Sequence, residues 1–247
     1  MAPAVLLLGD ITGKSRVAVR MMTAALEARG HEVLSLPTAL ISNTLNLGRA
    51  QILDTTAYLL DALATWEALG VTWDFLCIGY ITGLAQAQEL AAVADAARAR
   101  GVPVLVDPIL GDNGKRYNSI TDGQAEGMRL LCRHADLITP NLTEARLLAG
   151  ENLPPQQLAQ RLGEGQRSVL ITSCPGGDDA QGAIVGIDHT TGERVDVRYD
   201  AVPGHHFGTG DLFSALLVDA LLRGQPLACA ATEAAQGVRA HLLHPQE

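Results

Sequence analysis

The chain has 247 residues, of which 47% are hydrophobic, and a formal net charge of −9 with a pI near 5.2. This length and composition can bury a full core, and we expect one domain over residues 1–247. The acidic balance argues against nucleic acid or an anionic membrane surface as the main partner, because both bind basic faces. The longest apolar runs are too short to cross a bilayer, so we expect a cytoplasmic protein.

Strands and helices are predicted to alternate through the first half of the chain. Residues 4–9 form a continuous apolar run, typical of a buried parallel strand, that leads into Asp10. Ser15 can cap a helix over residues 16–29. The pattern then predicts a strand over 33–42, a helix over 52–69, a strand over 75–79, a helix over 86–100 and a strand over 103–106. The core face of the second helix is predicted to carry Tyr58, Leu59, Ala62, Leu63 and Trp66.

The second half continues the alternation. It predicts a helix over 124–134, a strand over 137–139, helices near 144–148 and 156–161, a strand over 168–173, an antiparallel pair at 183–187 and 195–199, and helices over 212–223 and 227–243. This order is typical of a parallel sheet covered by helices on both faces, with ligands bound outside the carboxyl ends of the strands. The residues at or just beyond such ends are Asp10, Tyr80, Asp107, Asp112 and Asn141.

The segment Gly208-Thr209-Gly210-Asp211 opens the penultimate helix. Its two glycines let backbone N–H groups gather at the positive end of the helix dipole, where a transferring phosphate would be stabilised. Asp211 follows at once and could accept the proton of an attacking hydroxyl. An ordinary strand-to-helix turn is the alternative explanation of these four residues.

Oxygen-bearing side chains follow the fourth and fifth predicted strands. Asp107 and Asp112 flank a loop with Pro108 and Gly111 and could approach one Mg²⁺ ion, or they could simply stabilise two turns. Asn141 and Glu144 have the spacing of a capping box, yet they also lie where they could hold a phosphate or a metal-bound water.

Two further segments each allow two interpretations. Lys115, in a glycine-rich stretch, could swing over bound phosphates or remain a solvated surface charge. The polar group Ser42-Asn43-Thr44, at the end of a predicted strand, could line a ligand pocket or form an exposed loop.

Taken together, these motifs resemble one known family. The segments 107–112, 139–144 and 208–211, in that order and spacing, resemble the pyridoxal kinase family of the ribokinase-like superfamily, and Ser42-Asn43-Thr44 and Ile78-Gly79-Tyr80 fall where that family has its vitamin pocket. The resemblance implies a ribokinase-like three-layer α/β/α sandwich, with a mostly parallel central sheet and no separate lid domain. It also implies a homodimer.

The activity implied by the resemblance is the ATP-dependent phosphorylation of the 5′-hydroxymethyl group of pyridoxal, pyridoxamine or pyridoxine. Mg²⁺ is implied as a cofactor, with K⁺ or Na⁺ as a further ion. Asp211 resembles the catalytic base, and Gly208, Thr209 and Gly210 resemble the anion hole. The resemblance also implies contacts with the vitamer, at Asp10, Ser42, Thr44 and Tyr80. Contacts with the nucleotide are implied at Asp107, Lys115, Tyr117, Asn141 and Thr172. The acidic groups implied around the cations are Asp107, Asp112 and Glu144.

The sequence departs from the family pattern in the vitamin pocket. Many relatives carry a serine near Asp10, and a His-Thr-Gly run in place of Thr44-Leu45-Asn46. Asp10 could pair with a protonated pyridine nitrogen, or it could recognise another heterocycle or a sugar. The alternative functions are a hydroxymethylpyrimidine or phosphomethylpyrimidine kinase, a sugar or nucleoside kinase, and a non-catalytic vitamin- or nucleotide-binding regulator with the same fold.

Overall fold

A computed structural model describes residues 2–45, 49–177, 180–204 and 206–244, so Asn46 lies outside the described residues. Its strands are β1 (Ala4–Thr12), β2 (Glu32–Ile41), β3 (Ile52–Asp54), β4 (Phe75–Ile78), β5 (Val104–Val106), β6 (Gly111–Asp112), β7 (Lys115–Arg116), β8 (Leu137–Ile138), β9 (Ser168–Pro175), β10 (Gln181–Ile187) and β11 (Arg194–Asp200). Its helices are α1 (Val19–Glu27), α2 (Thr56–Ala68), α3 (Leu84–Ala99), α4 (Asp122–Arg133), α5 (Leu142–Ala149), α6 (Pro155–Gly163), α7 (Thr209–Leu222) and α8 (Leu227–Leu243).

Nine of these strands form one sheet in the order β11-β10-β9-β8-β5-β4-β1-β2-β3. The pairings from β2 through β1, β4, β5 and β8 to β9 are parallel, whereas β3 at one edge and β10 and β11 at the other are antiparallel. Neighbouring parallel strands end at the same edge of the sheet, and this edge therefore gathers the loops that follow β1, β4, β5 and β8.

Helices cover the sheet on both faces, because side chains along a buried strand alternate between the faces. Leu6 and Leu8 of β1 pack with α2 to α6, and Val5 and Leu7 pack with α1, α7 and α8. The predicted three-layer α/β/α sandwich with a mostly parallel sheet is thus confirmed. Within the ranges that the structure describes, no helix has the length and apolar character needed to cross a bilayer.

The prediction for the first helix is wrong at its start. The helix begins at Val19, with Ala18 at the N-cap position, and Ser15 does not cap it. Ser15 instead lies in a loop with a φ of 95°. Strand β1 is also longer than predicted, so that Asp10 lies inside it at an irregularity in the pairing with β2.

The predicted helix over residues 52–69 is wrong in its first residues. Ile52–Asp54 form the edge strand β3 and pair with β2, and the Asp54 carboxylate then accepts the N–H of Thr56 where the helix begins. Tyr58 is exposed rather than part of the core face, while Leu59 is fully buried. Pairing with a distant strand overrides the local helical pattern here.

A short hairpin of β6 and β7 stands apart from the main sheet. Its turn uses Asn113 and Gly114, both with positive φ, which is the usual chemistry of a two-residue hairpin turn. A Cβ at Gly111 would lie 2.3 Å from the carbonyl oxygen of Lys115, so only glycine fits between the two strands. The sequence interpretation of this segment as a flexible loop did not include the hairpin. The other predicted strands and helices are found with ends shifted by a few residues.

Candidate active site

Three carboxylates face one small cavity at the carboxyl edge of the sheet. Asp10 comes from β1, Asp107 follows β5, and Asp211 lies in the first turn of α7. The cavity has a volume of about 20 Å³ and is also lined by Ala18 and Tyr80. It has room for about one water molecule, so the surrounding side chains must move apart before an aromatic ring can enter.

The protonation of these carboxylates is strongly perturbed. Loss of hydration and the nearby Asp211 charge raise the pKa of Asp10 to about 7. The same two causes raise the pKa of Asp107 to about 7, although the hydrogen bond from Ser214 acts in the opposite direction and lowers this pKa. Loss of hydration raises the pKa of Asp211 as well. A cation or a protonated ligand would relieve the repulsion among these groups.

Asp211 takes its position from the start of α7. Gly208 precedes the helix with a φ of 76°, a left-handed conformation that favours glycine, and a Cβ at this position would lie 3.4 Å from the side chains of Val17 and Met21. The Asp211 Oδ2 atom accepts the N–H of Ala18 at 2.8 Å. Gly208 and Thr209 also line a second, wider cavity of about 330 Å³, which makes the head of α7 accessible to a ligand.

Asp107 is held by a residue that sequence reasoning missed. The Ser214 hydroxyl donates to Asp107 Oδ2 at 3.0 Å, and it lies 3.4 Å from the Thr139 hydroxyl. Ser214 is buried one turn after Asp211 on α7. Its spacing of three residues from Asp211 is the signal that could have identified it, since such residues share a helix face.

Tyr80 lies against the cavity, as predicted, but it is firmly tied to the protein. Its hydroxyl accepts the Gln124 Nε2 donor at 3.0 Å, and its carbonyl accepts the Thr38 hydroxyl at 2.6 Å. Gln124 also donates to the carbonyl of Ile81 at 2.9 Å. Gln124 was not singled out from the sequence, although Thr121 and Gln124 have capping-box spacing, and the structure has that box.

Asn141 and Glu144 form the capping box that their spacing indicated. Asn141 Oδ1 accepts the Glu144 N–H at 3.0 Å, and Glu144 Oε2 accepts the Asn141 N–H at 2.9 Å. Their other polar atoms hold the β6–β7 hairpin, because Asn141 Nδ2 donates to the Gly111 carbonyl at 2.9 Å and Glu144 Oε1 accepts the Leu110 N–H at 3.1 Å. Loss of hydration and the neighbouring Asp107 raise the pKa of Glu144 well above its ordinary value.

The residues on the β6–β7 hairpin that were predicted to contact a metal ion or the nucleotide, Asp112 and Lys115, are exposed. The Asp112 carboxylate accepts the N–H and Nδ2 donors of Asn113, and Lys115 is exposed on β7. Tyr117 is half-buried, and burial and the carboxylates of Glu144 and Asp112 raise its pKa. In the ranges that the structure covers, no three His, Cys, Asp or Glu side chains lie close enough together to hold a metal ion, so Asp112 is not gathered with Asp107 and Glu144.

The remaining predicted residues, Ser42, Thr44 and Thr172, do not line the small cavity. Ser42 Oγ accepts the Gln51 N–H at 3.0 Å and donates to Asn43 at 2.7 Å, so it stabilises the connection to β3. Among the described residues, neither Ser42 nor the half-buried Thr44 lines the small cavity. Thr172 forms a parallel bridge with Asn141, which brings the end of β9 to the start of α5.

Comparison with known proteins shows the family to which the chain is related. The family model for phosphomethylpyrimidine kinase matches residues 23–246. A pyridoxine/pyridoxal/pyridoxamine kinase of Bordetella avium is 32% identical over 220 residues, which are 82% of this chain and 72% of that protein.

Two solved structures are also similar. A Bacteroides thetaiotaomicron protein described as a phosphomethylpyrimidine kinase, in a crystal form with pyridoxal, superposes with a TM-score of 0.90 at 28% identity, covering 100% of this chain and 90% of that one. Pyridoxal kinase from Lactobacillus plantarum superposes with a TM-score of 0.84 at 26% identity, covering 98% and 88% of the two chains. The chain therefore belongs to the phosphomethylpyrimidine kinase family, among the pyridoxal kinases of the ribokinase-like fold.

Proposed function

We propose that this chain transfers the γ-phosphoryl group of ATP to the 5′-hydroxymethyl group of pyridoxal, pyridoxamine or pyridoxine, with Asp211 as the general base. The observation that carries this proposal is the position of Asp211, which lies in the first turn of α7 and faces a cavity that Asp10, Tyr80 and Asp107 also line. The relatives named above act on or bind B6 vitamers. We further propose that the protein acts in the cytoplasm.

The proposed mechanism depends on placement more than on covalent chemistry. Phosphoryl transfer requires that the alcohol and the γ-phosphate lie in line and that the charge on the phosphate be neutralised. The N–H groups at residues 208–210, at the positive end of α7, would bind the phosphoryl oxygens. Asp211 would then take the proton of the attacking alcohol as the new P–O bond forms and the bond between the γ-phosphorus and the departing ADP breaks.

Acidic groups at the carboxyl edge of the sheet would hold the hard cation that the nucleotide phosphates require. Asp107 would bind Mg²⁺ directly or through water, and Glu144 would hold a metal-bound water, since Mg²⁺ prefers oxygen ligands and keeps several waters. Mg²⁺ supplies charge neutralisation on the nucleotide phosphates. Lys115 and Tyr117 on or beside the hairpin, with Asn141 and Thr172 at the strand ends, would contact the nucleotide. Asp112 would approach the cations from the hairpin, and K⁺ or Na⁺ would occupy a neighbouring site.

Contacts with the vitamer are proposed for the opposite side of the cavity. Tyr80 would lie against the pyridine ring, and Ser42 and Thr44 would approach its substituents from the end of β2. Asp10 is buried and lines the cavity, and it would face a protonated ring nitrogen. That pairing would offset the loss of hydration that raises the pKa of Asp10 to about 7.

A panel assay tests the function. We expect ATP consumption with pyridoxal, pyridoxamine or pyridoxine that is dependent on Mg²⁺. Turnover of hydroxymethylpyrimidine alone would instead indicate the pyrimidine kinase, and turnover of ribose alone a sugar kinase. If ATP is not consumed with any of the five, the kinase proposal is refuted and a binding regulator becomes the better account.

The raised pKa values predict that the metal-free protein loses stability as the pH rises. Asp10 and Asp107 have pKa values of about 7 in the folded chain, against 3.8 for an unperturbed aspartate, so between roughly pH 4 and 7 the folded state holds more protons than the unfolded state. The free energy of unfolding therefore falls with increasing pH across this window, by about 1.4 kcal/mol for each unit of pKa difference as an upper bound. Thermal melts from pH 5 to 8 measure the effect.

A variant and added Mg²⁺ test whether these carboxylates cause the pH dependence. Asp10→Asn should flatten part of the slope, because one of the raised groups is removed. Mg²⁺ should restore stability chiefly at the upper end of the range, where Asp107 is ionised. If the melting temperature of the metal-free protein rises between pH 5 and 8, and does so equally in the parent and in Asp10→Asn, the proposed charge cluster is contradicted.

We also propose that the chain forms a homodimer through the β3 edge. Leu40, Ile52, Leu53 and Tyr58 are exposed there by 42%, 42%, 60% and 60%, and Leu40 and Leu53 are direct cross-strand partners. Exposed apolar groups on a strand edge are typical of a protein interface. We expect a mass of twice 26.0 kDa by light scattering, and a monomer for Leu53→Asp.

The matched control for the dimer test is Leu69→Asp. Leu69 is 72% exposed but lies at the end of α2, away from the strand edge. A monomeric parent protein, or equal dissociation by both substitutions, would count against this interface.

A further inference from the structure

The loop between β1 and α1 is strained at two residues. Ser15 has a φ of 95°, and Ala18 has a φ of 51° with a ψ of −133°. Residues other than glycine rarely adopt these backbone conformations. Such strain persists only where surrounding contacts over-determine the conformation. Strain of this kind is concentrated at functional sites.

Ala18 makes a long-range hydrogen bond to Asp211. Ala18 occupies the N-cap position of α1, and alanine has no side-chain acceptor to satisfy the N–H groups of the first turn. Its own N–H donates to Asp211 Oδ2 at 2.8 Å, across 193 residues of sequence. Asp211 itself lies in the first turn of α7. The positive ends of two helices thus face the same carboxylate.

We propose that the main-chain N–H of Ala18 positions the Asp211 carboxylate for proton transfer, by holding Oδ2 so that Oδ1 is directed at the substrate alcohol. Ala18 is then a positioning residue, since it acts through Asp211 and not on the substrate. The inference rests on the proposed role of Asp211 as the general base.

The loop is built to hold this N–H in a fixed place. Arg20 Nη1 donates to the carbonyls of Thr12 and Ser15 at 3.3 and 3.4 Å, and the Thr12 hydroxyl also donates to the Ser15 carbonyl at 3.2 Å. The Ala18 carbonyl accepts two helix N–H groups at 3.0 Å, from residues 21 and 22. On the other side, a Cβ added at Gly208 would lie 3.4 Å from the Val17 side chain and 3.5 Å from the Arg16 carbonyl oxygen, so the loop passes close to the start of α7. A carboxylate fixed at one oxygen keeps the other in a defined direction, which general-base catalysis requires.

The charges around Asp211 explain why a dedicated donor matters there. Asp10 on β1 and Asp107 after β5 both interact unfavourably with the Asp211 charge, and Tyr117 beside the hairpin is near enough for its pKa to be raised by it. Loss of hydration raises the pKa of Asp211, and the hydrogen bond from Ala18 lowers it. Removing that donor should therefore make the base harder to ionise.

An amide-to-ester substitution removes this one donor. Replacing Ala18 with lactic acid by nonsense suppression exchanges the N–H for an ester oxygen and leaves the methyl side chain in place. We expect kcat/KM at pH 7 to fall by at least ~10-fold, as the loss of a hydrogen bond to a charged group would cause. The acid limb of the pH profile of kcat/KM should move upward by about one unit.

The control is the same alanine-to-lactic-acid exchange at Ala24. Ala24 lies on the exposed side of α1, and its N–H serves only the helix. We expect a lowered melting temperature but an acid limb in the parent position. If the ester at residue 18 lowers activity without moving the acid limb, or changes neither, Ala18 does not position the base and the inference is overturned.

A titration without turnover separates this inference from the proposed function. The carboxyl signal of Asp211, in protein labelled with ¹³C-aspartate and assigned with Asp211→Asn, should titrate at higher pH in the residue-18 ester than in the parent. An unmoved titration overturns the inference even in an active kinase. Failure of the parent protein to phosphorylate any vitamer would refute the function, while the titration would still report whether the contact exists.

Discussion

Asp211→Asn should lower kcat by roughly 10²- to 10⁴-fold, which is the usual range for loss of a general base. The amide oxygen can still accept the N–H of Ala18, the contact that the carboxylate makes at 2.8 Å, so the fold should be retained. A steady-state assay of vitamer phosphorylation at saturating ATP measures the loss. Because the amide cannot take up a proton, the effect should fall on kcat rather than on vitamer binding.

The control for this substitution is Asp122→Asn. Asp122 is also an acid in the first turn of a helix, but its side chain is 96% exposed and pairs with Arg116 on the surface. Surface pairs of this kind contribute little to stability, so both turnover and melting temperature should stay close to the parent values. Turnover by Asp211→Asn within a few-fold of the parent would exclude Asp211 as the base.

Gly111→Ala should displace the β6–β7 hairpin and lower kcat/KM for ATP by ~10²-fold, since a misplacement of about 1 Å can cost this much. The new methyl group would lie 2.3 Å from the Lys115 carbonyl oxygen and 2.8 Å from Arg116 Cα. Both are backbone atoms that cannot rotate away, so the two strands must separate. The hydrogen bond from Asn141 to the Gly111 carbonyl would be lost with them.

Gly114→Ala separates this steric effect from general strain in the hairpin. Gly114 has a φ of 76°, but a Cβ there would meet no atom within 4 Å. The substitution should cost some stability through its backbone conformation while leaving the strand pairing intact. Equal losses of kcat/KM in the two variants would show that the hairpin geometry at Gly111 has no special role.

The sequence predicted the features that depend on local patterns. Buried parallel strands appear as continuous apolar runs, and polar residues that follow them meet at one edge of the sheet, so the grouping of Asp10, Asp107 and Tyr80 was predictable. The capping box of Asn141 and Glu144 was predictable from its spacing. The head of α7 was open to explanation as an ordinary strand-to-helix turn, and it was recognisable only in combination with the segments 107–112 and 139–144.

The features that the sequence did not predict depend on contacts between distant segments. Ser15 is a good cap by type, but the N-cap of α1 is Ala18, whose N–H is satisfied by Asp211 from a distant part of the chain. Residues 52–54 follow a helical pattern, yet they pair with β2. Ser214 and Gln124 matter because they hold Asp107 and Tyr80, and partners of that kind are not visible in a local pattern.

The most direct test of the proposed chemistry is the structure of a complex with pyridoxal, Mg²⁺ and a non-hydrolysable ATP analogue. The distance to measure joins the 5′-oxygen of the vitamer to the nearer carboxylate oxygen of Asp211. We predict about 2.6–3.2 Å, the range for a base that takes up a proton directly, with the γ-phosphate against residues 208–210. A vitamer bound with its 5′-oxygen out of reach of Asp211, or with another carboxylate in that place, would contradict the account.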